Sequence, residues 1–356
     1  MRASAVSGFT LVHAADLHLG GRRWLRSEPE DGEFAEAVRR ADRLALRALV
    51  DLCLSENARL LLLSGDILDG WCRDHRIALE LVKELFRLRD AGCEAALLLG
   101  NHDVRTRFAR PLLLPEWAFV IGTRGPETRV LDELGVALHG WSAPEVKGDV
   151  DVAALYPPPV TDLLNIGLLH TSAEGRRGHA DYAPCSRRTL RTHGYDYWAL
   201  GHVHTREVIS TDPWIVFPGN LQGRGSRETG SKGATVVRVQ DGRILGAEHR
   251  DLAPVRFETI VANAEDAERF DDLLRAASEA LARLTDDARA RRVIARVVLS
   301  GENAAAAALR VPSRRRGAGL RAVARDVAPD RIWVDEAWVD GGPVAGAFGI
   351  DLASAP

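Results

Sequence analysis

Five short polar clusters, rich in histidine and carboxylate, each follow directly after a short apolar run of the chain. The apolar runs have the length of buried strands, and ligands bind an open α/β sheet at the carboxyl ends of its strands. One such cluster would carry little information, because short Asp and His motifs arise by chance. Five in the same position predict one shared site, formed by Asp16-Leu17-His18, Gly65-Asp66, Gly100-Asn101-His102-Asp103, His170 and Gly201-His202-Val203-His204.

The first hundred residues predict the start of a doubly wound α/β domain. Apolar runs predict three buried parallel strands, and apolar residues at helical spacing predict a helix in each gap between them. The predicted elements are, in chain order, strand Phe9 to Ala15, helix Glu33 to Glu56, strand Arg59 to Leu63, helix His75 to Asp90 and strand Glu94 to Leu99.

Later segments predict a second sheet and then a second domain. A chain of 356 residues is longer than the ~250 to 300 residues that one core usually supports, so we expect two domains. The pattern of predicted strands and helices changes near Val255, and this change predicts domains at residues 1–253 and 254–356. Further strands are predicted at Val136 to Trp141, Leu163 to Leu169 and Tyr197 to Leu200, with two or three antiparallel strands in Trp214 to Glu248; the second domain is predicted to contain a strand from Val255, a helix near Ala264 to Leu284, a strand at Arg292 to Leu299, a short helical run at Ala304 to Ala308 and a looser tail.

Net charge and cysteine usage narrow the class of protein. The formal net charge is −3, so any affinity for phosphate must be local and not a property of the whole surface. No apolar run approaches the ~18 to 20 residues that span a bilayer. The 4 cysteines are widely spaced and include no C-x-x-C pair, which is typical of reduced thiols. We therefore expect a cytoplasmic protein that does not span a membrane.

The clustered side chains suit metal ions. Two aspartates, one asparagine and four histidines offer enough oxygen and imidazole donors for two divalent cations, with water completing their shells. A single structural zinc would need fewer ligands and commonly uses cysteine. Two divalent cations would also reverse the charge of this carboxylate-rich pocket, which would then accept a phosphodiester.

The clusters resemble the calcineurin-like metallophosphoesterases, whose D-x-H, G-D, G-N-H-D, H and G-H-x-H pattern is present here in order. Three stretches make the chain similar to the bacterial SbcD and YhaO DNA-repair exonucleases, and to the YhaO branch most of all: Asp16 to Gly20, His179 to Cys185 and Pro218 to Arg224. This resemblance covers roughly residues 9 to 250. It implies an α/β fold, a two-sheet sandwich flanked by helices that forms the nuclease domain, followed by a small α+β capping domain.

The resemblance also implies a role for each clustered residue. One metal ion would be held by Asp16, His18 and His204, the other by Asn101, His170 and His202, and Asp66 would bridge them. A hydroxide activated by both metals would attack phosphorus, and His102 would protonate the leaving oxygen as the general acid. Asp103 would orient and charge the His102 ring. The expected metal is Mn²⁺ because of the family, although imidazole and carboxylate ligands also suit iron, zinc or nickel, and Mg²⁺ stays open.

Other charged residues are weaker candidates. Three arginines near the motifs could contact phosphate through their planar guanidinium groups: Arg105, Arg107 and Arg224. The basic stretch Arg314 to Arg325 could follow DNA, but a solvated loop is the preferred interpretation. His179 stays undecided, and the remaining histidines are expected in the core or on the surface: His13, His75, His139, His193 and His249.

The resemblance implies that the chain is a metal-dependent DNA exonuclease that acts in DNA repair. The resemblance implies a coiled-coil ATPase partner of the SbcC or YhaN type, which would open duplex ends and supply the DNA affinity that a chain of net charge −3 lacks. Homodimerisation stays open. Two alternatives remain: a small-substrate phosphodiesterase or phosphatase on the same two-metal site, and a non-catalytic scaffold that binds metal and recruits partners.

Overall fold

The computed structural model describes residues 8–22, 25, 29, 32–105, 114, 117–144, 150–173, 182–287, 291–300, 314–339 and 342–343. These residues divide into two compact units. The larger unit comprises the described parts of Met1–Gly21, Asp42–Gln222 and Lys232–Ala253, and the smaller one those of Arg22–Ala41, Gly223–Ser231 and Pro254–Pro356. The described residues of two segments, 22–41 and 223–231, therefore group with the smaller unit, although the sequence prediction placed both segments in the first domain.

The larger unit contains two six-stranded mixed sheets. The first has the strand order β12-β11-β1-β2-β3-β4 and the second β5-β6-β7-β8-β10-β9. The strands are β1 (Gly8–Ala14), β2 (Ala58–Ser64), β3 (Glu94–Leu98), β4 (Ala118–Val120), β5 (Glu127–Leu131), β6 (Val136–Gly140), β7 (Leu164–His170), β8 (Tyr197–Gly201), β9 (Glu207–Thr211), β10 (Trp214–Phe217), β11 (Gly233–Gln240) and β12 (Arg243–Asp251). The helices are α2 (Ala41–Ser55), α3 (His75–Arg89) and α4 (Arg187–Thr192), with 3-10 turns at Asp103–Arg105 and Val152–Leu155; helix α1 (Glu33–Arg39) belongs to the smaller unit.

The leucine run of β2 shows why its sequence is apolar throughout. Leu60 and Leu62 lie in a core cluster with residues of the second sheet, such as Ile166, whereas Leu61 and Leu63 lie in the cluster that holds the helices. Successive side chains of a strand point to opposite faces, so a strand that is covered on both faces needs apolar residues at every position. The two sheets thus form a sandwich flanked by helices, which confirms the expected fold.

The smaller unit is built around a four-stranded sheet in the order β13-β14-β15-β16. Its first three strands are parallel and alternate with helices, and β16 is antiparallel to β15. Apolar residues of both C-terminal helices pack on this sheet. A separate cluster joins Phe34 and Val38 of α1 to Val255 and Phe257. The elements are β13 (Val255–Asn263), α5 (Phe270–Asp287), β14 (Arg292–Ser300), α6 (Arg314–Val327), β15 (Ile332–Val339) and β16 (Gly342–Pro343).

Three details differ from the sequence predictions. The single helix predicted over residues 33–56 is interrupted at Arg40, and its two halves, α1 and α2, belong mainly to different units. Within Trp214 to Glu248, β10 joins the second sheet beside β8 in parallel, while β11 and β12 extend the first sheet beside β1. The stretch Arg314 to Arg325 lies in helix α6, so the preferred interpretation as a loop was wrong.

Some simpler expectations concern cysteine and the membrane. All four cysteines are free, as expected, and all four are buried. No helix in the described part of the chain has both the length and the apolar character that a membrane span requires. The alanine run Ala304 to Ala308 lies outside the described residues.

Candidate metal centre

All five polar clusters meet at the carboxyl ends of strands from both sheets. Asp16 and His18 follow β1, Asp66 follows β2, and Asn101 and His102 follow β3. The remaining three histidines end or follow strands of the second sheet: His170, His202 and His204. The topology therefore collects the predicted residues at one edge of the sandwich.

One group of ligand atoms comes from Asp16, His18 and His204, which all lie within 4.8 Å of one another. The His18 Nε2 and His204 Nε2 atoms are 3.1 Å apart, and His204 Nε2 is 4.0 Å from Asp16 Oδ1. Two imidazole nitrogens that bind one cation, each at ~2.1 Å, stand about 3 Å apart. The spacing of this group therefore fits a shared metal ion.

The second group comes from Asp66, His170 and His202, again within 4.8 Å of one another. The His170 Nδ1–H donates to the Ser64 carbonyl at 2.9 Å, which directs Nε2 towards Asp66 Oδ2 at 3.3 Å. Asn101 Oδ1 is buried and accepts no hydrogen bond from any described residue. A buried acceptor without a donor is costly unless a cation satisfies it, so Asn101 fits the role of a neutral oxygen ligand.

Asp66 lies between the two groups. Its Oδ2 atom is 3.7 Å from His18 Nε2 and 3.3 Å from His170 Nε2, while Oδ1 accepts the His102 backbone N–H at 2.8 Å. A single carboxylate thus approaches one imidazole of each group. This is the position that a carboxylate bridging two cations requires.

The local backbone is unusual where these ligands are presented. Four site residues without the freedom of glycine have positive φ angles: Asp16 (51°), His18 (43°), Asp66 (51°) and His202 (93°). Such angles are uncommon for residues other than glycine and concentrate at functional sites. Two glycines beside these residues have no room for a side chain. A Cβ on Gly100 would lie 2.3 Å from Asp66 Oδ1, and one on Gly201 would lie 1.9 Å from the Ser64 carbonyl oxygen.

Burial and mutual charge shift the acidity of the ligands strongly. Burial raises the pKa of Asp16 to about 6, against the opposing charges of His170 and His204. Burial also opposes ionisation of Asp66, yet the charge of His170 is the main reason that the Asp66 pKa falls far below its usual value. Burial alone would lower the pKa of His170, but Asp66 and Asp16 raise it to about 9. Without metal the cluster therefore balances its carboxylates with a proton on His170, which a cation would replace.

The side chain of His102 is 26% exposed, compared with 17% for His204 and 2% for His18. The Gly70 N–H donates to His102 Nδ1 at 3.4 Å, so the neutral ring carries its proton on Nε2. His102 also lies within 4.8 Å of ligand atoms of His18 and Asp66. Its place beside the ligands, open to solvent, fits a proton donor.

The predicted role of Asp103 needs correction. Its Oδ1 accepts the Leu68 N–H at 2.8 Å, and its Oδ2 accepts the N–H groups of Gly100 at 2.8 Å and Ile67 at 3.2 Å. Burial and the charge of Asp66 raise the pKa of Asp103 to about 7, against these three donors. The carboxylate therefore organises the turns that carry the ligands and does not orient the His102 ring.

Asp69 takes the place that the sequence analysis gave to Asp103. Its Oδ2 atom is 3.4 Å from His18 Nδ1 and 3.9 Å from His102 Nδ1, and its side chain is 1% exposed. An acidic residue three positions after Asp66 was the available sequence signal. Lys232, which was also missed, donates from Nζ to the His204 carbonyl at 2.7 Å, and no spacing motif marks it.

The remaining candidates have separate outcomes. Arg105 is exposed on the 3-10 turn after His102, and its contact with phosphate stays a prediction. Arg224 is half-buried in segment 223–231 of the smaller unit, where its N–H donates to Glu228 Oε2 at 2.8 Å, and its phosphate contact also stays a prediction. Arg107 and His179 lie outside the described residues. As expected for core residues, His13 pairs with Tyr197, and His139 pairs with Thr128 and Asn165.

A two-sheet sandwich with this ligand arrangement defines a metallophosphoesterase. Residues 9–206 match the profile described as calcineurin-like phosphoesterase, and residues 257–340 match the profile described as the middle domain of the metallophosphoesterase YhaO. The chain belongs to the calcineurin-like phosphoesterase family, and the predicted resemblance is confirmed. Its curated relatives include the "Uncharacterized metallophosphoesterase YhaO" of Bacillus subtilis (strain 168), which is 30% identical over 300 residues, covering 83% of this chain and 72% of the relative.

Other relatives carry the name DNA double-strand break repair protein Mre11. The protein from Sulfurisphaera tokodaii is 24% identical over 247 residues, which cover 64% of this chain and 59% of that protein. The protein from Methanopyrus kandleri is 27% identical over 230 residues, covering 59% of this chain and 48% of that protein. Among solved structures, a dimetal phosphatase from Danio rerio matches with a TM-score of 0.39 and 14% identity over 65% of this chain and 93% of that one.

Proposed function

We propose that this metallophosphoesterase is a Mn²⁺-dependent DNA exonuclease that acts in DNA repair. The observation that carries the proposal is the position of Asp66, whose Oδ2 atom approaches His18 of one ligand group at 3.7 Å and His170 of the other at 3.3 Å. A shared carboxylate suits two cations ~3.5 to 4 Å apart, the arrangement used to hydrolyse phosphodiesters. The names of the Mre11 relatives support DNA as the substrate.

The chain's own residues divide the remaining work. When bound, two divalent cations supply Lewis acidity and positive charge for the phosphodiester and lower the pKa of water to near neutrality. Asp66 and the two imidazole groups would hold the cations, and Asn101 would add an oxygen ligand without adding negative charge. His102 acts as the general acid in its imidazolium form: it donates the Nε2 proton to the leaving oxygen and becomes the neutral ring. Asp69 Oδ2 lies 3.9 Å from Nδ1 on the opposite edge of that ring, where its negative charge stabilises the imidazolium that precedes the transfer.

DNA affinity is the reason to propose a partner. The net charge of −3 gives the chain no strong attraction for a polyanion beyond the metal site. We therefore propose that a coiled-coil ATPase of the SbcC or YhaN type supplies DNA contacts and opens duplex ends. Manganese as the native ion belongs to the same proposal, since the ligand types alone also suit other first-row metals.

The proposal is tested by incubating the Mn²⁺-loaded protein with end-labelled duplex and single-stranded DNA, with and without an ATPase of that type. We expect products shortened from the ends, and loss of cleavage in His102→Ala at unchanged metal content. His75→Ala serves as the matched control, because His75 is an exposed histidine at the start of α3 and belongs to neither ligand group. Cleavage of bis(p-nitrophenyl) phosphate but of no DNA under either condition would overturn the nuclease proposal and favour a small-substrate phosphodiesterase.

A further inference from the structure

Trp71 is the most exposed large apolar residue in the described part of the chain, with 77% of its surface accessible. Tryptophan is the largest side chain and is highly buried on average. Its position is also notable, because it comes only two residues after Asp69, the carboxylate beside His18 and His102. An exposed aromatic at the edge of a catalytic site indicates a surface that a ligand covers.

The backbone of Trp71 is fixed by the site itself. Its N–H donates to Asp69 Oδ1 at 3.0 Å, and the N–H of the next residue, Cys72, donates to the Asp69 carbonyl at 2.8 Å. On the other side, the Gly70 N–H donates to His102 Nδ1 at 3.4 Å. Trp71 is therefore carried by a turn that is hydrogen-bonded to the general acid and its carboxylate, so the backbone places the indole at the edge of the site.

A second exposed segment borders the same turn. Val104 is 54% exposed and Arg105 is also exposed, on the 3-10 turn directly after His102. A Cβ placed on Gly70 would lie 3.4 Å from Arg105 Cβ and 3.4 Å from the His102 carbonyl oxygen, so the two segments are in contact. We call Trp71, Val104 and Arg105 the rim. It combines an aromatic ring, an aliphatic side chain and a guanidinium group.

The position of the rim indicates which part of a substrate it meets. His102 protonates the leaving oxygen, so groups that border His102 face the leaving side of the scissile bond. In a nucleic acid that side carries a nucleoside and the next phosphate. An indole stacks on any unpaired base, and a guanidinium pairs with phosphate. Bases inside a duplex are already stacked on their neighbours, so their faces become available only after unstacking.

We propose that Trp71 is a specificity residue that stacks on the unpaired base of the leaving nucleotide, which makes single-stranded or frayed DNA ends the preferred substrate of this site. The inference rests on the proposed nuclease function. Arg105, on the same rim, contacts the phosphate that follows that base. The alternative occupant of the rim is a protein partner, which would not distinguish a base from an abasic sugar.

The test uses the Mn²⁺-loaded full chain and two single-stranded oligonucleotides of equal length and equal phosphate number. One carries thymine throughout, and the other carries abasic sugars over its terminal nucleotides. The wild-type protein is expected to cleave the first with the higher kcat/KM. In Trp71→Ala the ratio of the two kcat/KM values falls about tenfold, as expected for the loss of one base–aromatic stack, and Trp71→Phe recovers most of it. Leu245→Ala, a control with 69% exposure on β12, keeps the wild-type ratio.

Three other outcomes would overturn the inference. If Trp71→Ala slows both oligonucleotides equally, Trp71 has only a structural role and the inference is wrong. If the ratio is unchanged but stimulation by an ATPase partner is lost, the rim binds protein, which also overturns it. If wild-type protein hydrolyses bis(p-nitrophenyl) phosphate but neither oligonucleotide, the nuclease function itself fails, and the inference fails with it.

Discussion

Asp103 offers a direct test of how the turns of the metal centre are held. Its two carboxylate oxygens accept three backbone N–H groups, from Ile67, Leu68 and Gly100, at 2.8 to 3.2 Å. These donors belong to the two turns that present Asp66 and the Asn101 segment. Replacing Asp103 with alanine removes both acceptor oxygens, and with them all three hydrogen bonds, in a place that is 1% exposed.

The expected loss in the free energy of unfolding follows from the number of backbone donors that are left without an acceptor. A buried donor left without its partner costs about 1 to 3 kcal/mol. Three such donors predict a loss of at least about 3 kcal/mol in the free energy of unfolding of the larger unit. Asp103→Asn keeps one acceptor oxygen and turns an amide nitrogen towards the remaining donors, so its loss is expected to be smaller but still measurable.

Urea denaturation followed by tryptophan fluorescence measures both variants. EDTA is present throughout, so that metal binding does not contribute to stability. Asp74→Ala is the control: Asp74 caps helix α3 by accepting the Arg76 N–H at 3.0 Å, and its loss should cost about 1 kcal/mol. If Asp103→Ala unfolds like the wild type but loses kcat, the structural role is wrong and the carboxylate acts on His102.

Three further predictions concern other buried titratable groups. Asp69→Asn should lower kcat about 10- to 100-fold at unchanged metal content, because His102 loses the neighbouring carboxylate; equal kcat values across the pH range would contradict this. Burial lowers the pKa of the His13 imidazole to about 3 in the folded protein. Unfolding restores a pKa near 6.5, so below pH 6.5 the unfolded chain takes up a proton that the folded protein does not. The free energy of unfolding therefore falls as the pH is lowered from 6.5 towards 3. At pH 5 in EDTA, the free energy of unfolding of the wild type should have fallen by about 2 kcal/mol more than that of His13→Gln. Parallel curves of unfolding free energy against pH would refute this prediction. Glu336→Gln should destabilise the smaller unit by about 3 kcal/mol by leaving the Arg296 guanidinium, 2.6 Å from Glu336 Oε1, without its carboxylate; an unchanged urea midpoint would argue against this.

The strands around the site could be predicted because each one carries its own sequence signal. β2 is apolar at every position, and β1, β3, β7 and β8 end at or directly before polar motifs, so both their existence and the position of the site follow from local sequence. The pairing of distant strands carries no such signal. β11 and β12 look like a continuation of the second sheet in the sequence, yet β11 pairs with β1 across more than two hundred residues.

The clustering of the candidate ligands was predictable from residue type and spacing, whereas the contacts that support them were not. Asp103 and Asp69 are both acidic residues next to site motifs. Their side chains point in different directions, so that Asp103 accepts hydrogen bonds from the turns and Asp69 lies beside the imidazoles. The sequence alone does not show these directions. Lys232 reaches the His204 carbonyl from a loop 28 residues later in the chain. The break at Arg40 was hidden because both halves of the segment have apolar residues at helical spacing, although they serve different cores.

The central claim is that two cations share Asp66, and anomalous diffraction from crystals grown with Mn²⁺ tests it most directly. The expected result is two peaks per chain, about 3.5 to 4 Å apart, with one Asp66 oxygen in contact with each or one oxygen between them. The peaks should also lie beside the two imidazole groups, His18 with His204 and His170 with His202. A single peak, or two peaks that Asp66 does not touch, would contradict the two-metal site.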